Sequence, residues 1–149
     1  PILVIAVLVF LLLKKWYAEA IFITIDVALM PILVFIFKHV YGRTRPTLPH
    51  LVVENGLSFP SGHASASLMF YTCLMVLICQ RLNNQQMKWL VRVLFSMFIV
   101  VIGISRIYLG VHYPTDILGG WLMSGSILLI TYPIYDEVRF KWRFKGVQK

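Results

Sequence analysis

The feature that most limits what this chain can become is the length and spacing of its apolar runs. They cover residues 1–13, 19–37, 64–80, 89–105 and 117–135, separated by short polar links and one longer loop, 38–63. A helix rises about 1.5 Å per residue and a bilayer core is about 30 Å thick. The last four runs are long enough to cross. The first would make a helix of only about 20 Å, which leads us to expect further residues upstream of it. A signal peptide fits that run poorly, because no basic segment precedes it and no small-residue cleavage site follows.

Composition agrees. Of 149 residues, 59% are hydrophobic and 13% charged, whereas a soluble domain carries about a quarter charged residues. There is too little polar surface to coat a water-soluble globule. No repeat or low-complexity stretch divides the chain. The expected fold is therefore an all-α, polytopic transmembrane helix bundle, with residues 1–149 forming a single membrane domain. Cys73 and Cys79 lie six apart in one apolar run and point to different sides. They read as packing residues rather than a disulfide or metal pair.

Alternating spans sort the connections onto two sides. Lys14, Lys15, Arg81, Lys88, Arg92, Arg139, Lys141, Arg143, Lys145 and Lys149 fall on one side. Lys38, Arg43, Arg45 and Arg106 fall on the other. The positive-inside rule makes the first side cytoplasmic and turns loop 38–63 and turn 106–116 outward. The net charge of +8 then needs no nucleic-acid partner. The basic, aromatic tail from Arg139 reads as anchoring, with Phe140, Trp142 and Phe144 among lipid headgroups.

Three clusters on the outward side carry chemistry. They are Lys38 to Pro46 (K-H-V-Y-G-R-T-R-P), Pro60-Ser61-Gly62-His63, and Ser105-Arg106 followed by His112 and Asp116. Lys38, Arg45 and Arg106 are cations at the membrane face, a costly place unless they share an anion. Arginine's planar fork suits phosphate. Pro60-Ser61-Gly62 precedes a helix, whose first amides bind phosphate oxygens. His112 and Asp116 are four apart, so on a helical turn the carboxylate would hold one ring nitrogen and leave the other free to attack. His63 is a second imidazole, suited to protonating a departing alkoxide. Together these parts suit phosphoryl transfer.

The three clusters resemble the signature of the type 2 phosphatidic acid phosphatase family: K-x6-R-P, P-S-G-H and S-R-x5-H-x3-D. Every fixed position is met, in order and at the right spacing, between Lys38 and Asp116. The resemblance implies a membrane-embedded, metal-independent lipid phosphatase of six helices without a cofactor. Five spans are visible here, so the expected sixth would precede Pro1. It implies that Lys38, Arg45 and Arg106 hold the phosphate, with Ser61 and the Gly62 amide. His112 would form a phosphohistidine, Asp116 would orient it, and His63 would protonate the leaving oxygen and then activate water. The implied substrate is a lipid phosphate lodged in the bilayer: phosphatidylglycerophosphate first, with undecaprenyl diphosphate and phosphatidic acid as alternatives. A bacterial plasma membrane with the site facing the exterior or periplasm is the expected location.

Other readings compete at individual residues. A zinc site of His63, His112 and Asp116 would be repelled by three neighbouring cations. Ser61 lacks the G-x-S-x-G elbow of a serine nucleophile. Arg43 reads equally as a phosphate contact or a solvated charge. His39 and His50 read as loop residues. Asp26 lies mid-span, as a structural contact or a proton-linked group, and Pro31 should kink the same span. Gly103, Gly110, Gly119 and Gly120 read as close helix contacts or turns. A different class of function, a non-catalytic protein binding anionic lipid through the same cations, predicts no need for His112.

Overall fold

The structure is a computed structural model that describes residues 2–47, 49 and 51–148; Pro1, Leu48, His50 and Lys149 lie outside the described residues. Among those described, the chain forms five helices and no strand. They are α1 (Ile2–Leu13), α2 (Tyr17–Tyr41), α3 (Gly62–Cys79), α4 (Gln85–Tyr108) and α5 (Pro114–Phe144). The last four are long and apolar enough to cross a membrane. At 12 residues, α1 measures about 18 Å and falls short of a full crossing.

Local chemistry explains where the helices stop and start. Gly42 ends α2 in the left-handed region at φ 58°, and its N–H donates to Lys38 O at 2.9 Å. Glycine takes that conformation without a Cβ clash. Ser61 caps α3, its Oγ accepting from Ala64 N. Asn84 caps α4, its Oδ1 accepting from Gln86 N at 2.8 Å and Met87 N at 3.3 Å. Pro114 opens α5, where its missing N–H costs nothing.

Helix α3 is the hub, packing against α2, α4 and α5, while α1 lies against α2. The core joins Ile23 and Met30 of α2 to Met69, Cys73 and Leu77 of α3 and Leu128 and Tyr135 of α5. Phe35, Val101, Leu122 and Ile130 point outward and exposed. An apolar exterior suits a helix bundle solvated by lipid, where close packing rather than water exclusion holds helices together.

Two expectations are corrected. His39 is not a loop residue: α2 continues through it to Tyr41, and its Nδ1 lies 2.8 Å from Phe35 O. The tail from Arg139 is not separate from the last span, because α5 runs on to Phe144. Trp142 is partly buried against the core, and Arg139 and Arg143 turn toward Glu19 on α2. Glu19 is fully buried and also pairs with Arg81 at 2.7 Å. Asp26 is buried too, accepting from the Thr131 hydroxyl of α5 at 3.2 Å. Cys73 and Cys79 are both free thiols.

The contact between α3 and α5 decides where the loops above it meet. A Cβ on Gly120 would lie 2.7 Å from Ser65 Oγ and 3.0 Å from Ser61 O. A Cβ on Gly125, one turn further along α5, would meet nothing within 4 Å. Gly120→Ala should therefore destabilise the protein by about 1–3 kcal/mol. Gly125→Ala should be neutral or stabilise by up to about 1 kcal/mol, from helix propensity alone. Thermal melts of the two variants in one detergent test the contrast; equal melting temperatures would refute this packing.

Candidate active site

The site is built where loop 42–61, between α2 and α3, meets turn 109–113, between α4 and α5. Its lower layer is the Asp116 carboxylate, fully buried in the first turn of α5. Asp116 Oδ2 accepts from Tyr113 N at 2.9 Å and from the Ser58 hydroxyl. Asp116 Oδ1 accepts from Arg43 Nη1 at 2.9 Å. The Asp116 carbonyl takes the amide of Ser61 at 3.1 Å, which joins the start of α5 to the start of α3.

His112 sits on this layer, 3% exposed. Its Nδ1 lies 3.4 Å from Asp116 Oδ2. A proton on Nδ1 facing the carboxylate leaves Nε2 with a free lone pair. That Nε2 is 3.4 Å from Arg45 Nη1. Burial pushes the imidazole below its ordinary value of 6.5, and the Arg45 charge pushes it further; Asp116 acts the other way. His112 is thus held neutral, the form that can act as a nucleophile.

Arg45 forms the next layer, and the backbone holds it rigidly. Its Nη1 donates to Val111 O at 2.9 Å, its Nε to Gly56 O at 3.2 Å and its Nη2 to Asn55 O at 3.2 Å. Arg106 approaches from the end of α4, and its buried Nε has no hydrogen-bond partner among the described residues. His63 stands in the first turn of α3. Gly62, beside it, offers an amide that the helix itself does not use. Lys38, in the last turn of α2, donates to Leu57 O and lies within electrostatic reach of Arg45, Glu54 and Asp116.

Five residues nominated from sequence thus converge: Arg45, Arg106, His63, His112 and Asp116. Ser61 is buried as the cap of α3, under the site. Arg43 turns away from the cation cluster. It grips Asp116 and Thr115 and lies over the Tyr113 ring at 4.2 Å. Two residues were missed. One is Ser58. The other is Glu54, whose carboxylate lies 2.9 Å from Arg45 Nη2, 3.6 Å from Arg106 Nη1 and 3.7 Å from His63 Nδ1. A signal for Glu54 was available: it is the one acidic residue in loop 38–63. Among the described residues, no three His, Cys, Asp or Glu side chains are grouped as metal ligands.

The electrostatics fix signs that can be measured. In an imidazole nitrogen titration, His112 should titrate below 6.5. Arg45→Gln should move the midpoint up and Asp116→Asn should move it further down. Unfolded chains take up that proton at higher pH. His112 should therefore cost stability as pH falls through 6.5 toward its folded midpoint. A midpoint above 6.5 in the folded protein would contradict this account of the site.

Comparison with known proteins places this geometry. Residues 19–140 match the PAP2 superfamily. Phosphatidylglycerophosphatase B of Bacillus subtilis (strain 168) is 34% identical over 111 residues, covering 74% of this chain and 54% of the relative. Undecaprenyl-diphosphatase of Sulfolobus acidocaldarius is 28% identical over 130 residues, covering 83% of this chain and 59% of that protein. A crystal structure of a transmembrane PAP2 type phosphatidylglycerolphosphate phosphatase from Bacillus subtilis superposes with a TM-score of 0.84 at 25% identity. The match covers 91% of this chain and 68% of that one. The chain spans about half the length of the curated relatives it matches.

Proposed function

The chain belongs to the PAP2 superfamily and is an integral membrane protein, and on that premise we propose that it hydrolyses the phosphate ester or diphosphate of a membrane lipid through a phosphohistidine on His112. The observation that carries this reading is the placement of Arg45. One guanidinium reaches His112 Nε2 on one side and belongs to a cluster with Arg106 and His63 on the other. An anion held there lies beside a neutral nucleophile and beside a second imidazole.

The chemistry follows in two displacements. Phosphate oxygens take donors from Arg45, Arg106 and Lys38, with the Gly62 amide and Ser61 at the start of α3. His112 Nε2 attacks phosphorus, the bond from phosphorus to the lipid oxygen breaks, and His63 protonates that oxygen. Water then attacks the phosphohistidine while His63 takes its proton. The phosphorus–nitrogen bond breaks and orthophosphate leaves. Charge stabilisation by fixed donors does most of this work, which is what phosphoryl transfer requires. No step uses a metal: positive charge from the three side chains serves where a cation would.

A lipid substrate is supported by a groove of about 400 Å³ that has His63 in its lining. Its walls include Leu3, Val27, Met30, Phe70 and Ile102, all apolar. A tail in that groove would lie beside His63, which faces the cation cluster through Glu54. Among lipids, phosphatidylglycerophosphate is favoured, because the relative with 34% identity and the superposing crystal structure carry that substrate in their names. Undecaprenyl diphosphate is the second reading, from another named relative. The basic asymmetry of the links supports a site facing the periplasm or exterior of a bacterial plasma membrane.

Phosphate release from a short-chain lipid phosphate tests the mechanism. His112→Ala should lose on the order of a thousandfold or more in kcat, and EDTA should leave the wild-type rate unchanged. Equal release by wild type and variant would favour a lipid-binding protein without catalysis; activity lost in EDTA and restored by zinc would favour a metal enzyme. The groove makes a separate prediction through Ala66, which lines it. Ala66→Trp should raise KM several-fold for a long-chain lipid phosphate and leave a water-soluble aryl phosphate unaffected. Equal effects on both would detach the groove from substrate binding.

A further inference from the structure

Glu54 sits where the substrate's phosphate is expected. Its carboxylate meets Arg45 at 2.9 Å, Arg106 at 3.6 Å and His63 at 3.7 Å, and its side chain is 22% exposed. These are three of the groups proposed above to grip phosphate or to protonate its leaving oxygen. We infer that Glu54 is a resident anion of the phosphate site, displaced when substrate enters and returning to expel orthophosphate after hydrolysis. The inference rests on reading that cluster as the phosphate site.

The reasoning begins with the empty site. Arg45, Arg106 and Lys38 would repel one another in a partly buried place of low dielectric. A carboxylate among them relieves that repulsion. Glu54 is also built to occupy the position. The carbonyls of Asn55 and Gly56, directly after it, grip the same guanidinium that its side chain pairs with. Gly56 has φ 82°, a conformation glycine adopts freely, and it permits this tight return. Arg45 keeps three backbone acceptors when Glu54 leaves, so the cation stays in place for the incoming phosphate.

An internal competitor has a definite thermodynamic signature. It weakens every ligand of the site by one factor, set by the fraction of molecules in which the carboxylate is out. Substrate, orthophosphate and vanadate should all be affected alike. The benefit falls on the last step. Orthophosphate among several cations would leave slowly, and a tethered carboxylate returns at a high effective concentration. The arrangement exchanges some substrate affinity for product release.

The test is a comparison of wild type, Glu54→Gln and Glu54→Asp, using inorganic orthophosphate as the probe. Orthophosphate affinity is measured by calorimetric titration and as an inhibition constant against a short-chain lipid phosphate. In Glu54→Gln, the dissociation constant, the inhibition constant and KM should all fall by the same factor, about tenfold. Glu54→Asp keeps the charge at shorter reach and should fall between the two. Unchanged orthophosphate affinity in Glu54→Gln would overturn the inference and leave the phosphate-site reading intact. So would a loss of kcat with no gain in affinity, which would make Glu54 a positioning residue for His63. Failure of wild type and both variants to bind orthophosphate would instead overturn the phosphate-site reading itself. A thermal melt of each variant checks that the fold is retained, and Glu54→Asp carries the test should Glu54→Gln unfold.

Discussion

The buried Asp116 carboxylate is the interaction on which the rest of the site depends. A charge with no solvent exposure is tolerable only when donors surround it. Here the donors come from separate parts of the chain: Arg43 and Ser58 from loop 42–61, and the Tyr113 amide and the His112 ring from the turn before α5. Satisfying one carboxylate therefore ties two connections together. The Ser61 amide on the Asp116 carbonyl and the Ser58 amide on the Arg43 carbonyl tighten the same knot. His112 inherits its orientation from this arrangement, and through Arg45 so does the cation cluster above it.

The opposite end of the bundle repeats the device. Glu19, also fully buried, gathers Arg81 from the link after α3 and Arg139 and Arg143 from α5. Gln148 closes the group from the tail, bonding Glu19 at 3.1 Å and the Ala18 amide at 2.8 Å. Arg81 also lies over the Trp16 ring at 3.4 Å. Helices surrounded by lipid gain little from hiding apolar surface from one another. A buried carboxylate at each end offers a directional alternative. It also explains why three basic residues at that end, Arg81, Arg139 and Arg143, turn inward.

At the Asp116 end, the backbone keeps the Arg45 charge in position before any ligand arrives. Backbone carbonyls orient Arg45, so little reorganisation remains for the reaction. In the proposed mechanism that rigidity carries a cost, since a fixed cluster of cations binds product as readily as substrate, and Glu54 is the residue we infer to offset it. Fixed cations, a histidine on a carboxylate and, as inferred for Glu54, a removable internal anion would make one consistent electrostatic design.

The sequence by itself determined the helical class and the approximate places of the long apolar helices, and it nominated the site residues. Apolar run length is a one-dimensional quantity set by bilayer thickness, and the spacing of Lys38, Arg45, Gly62, His63, Arg106, His112 and Asp116 is legible without coordinates. Apolar run length does not show where a helix is capped, so α2 extends past the run 19–37 to Tyr41, before its Gly42 cap, and takes in His39. Partners across the loops were decided by the tertiary structure alone. Arg43 is two residues from Arg45, yet one grips Asp116 and the other reaches Val111 O and His112. The K-x6-R-P pattern singles out Arg45 but is silent on the partner of Arg43, because that partner depends on how the start of α5 docks against α3. Glu54 was hidden for the same reason: its significance is a set of three contacts to residues 9, 9 and 52 positions away, counted from Arg45, His63 and Arg106. Such contacts exist only once the bundle has closed and brought those charges within a few ångströms.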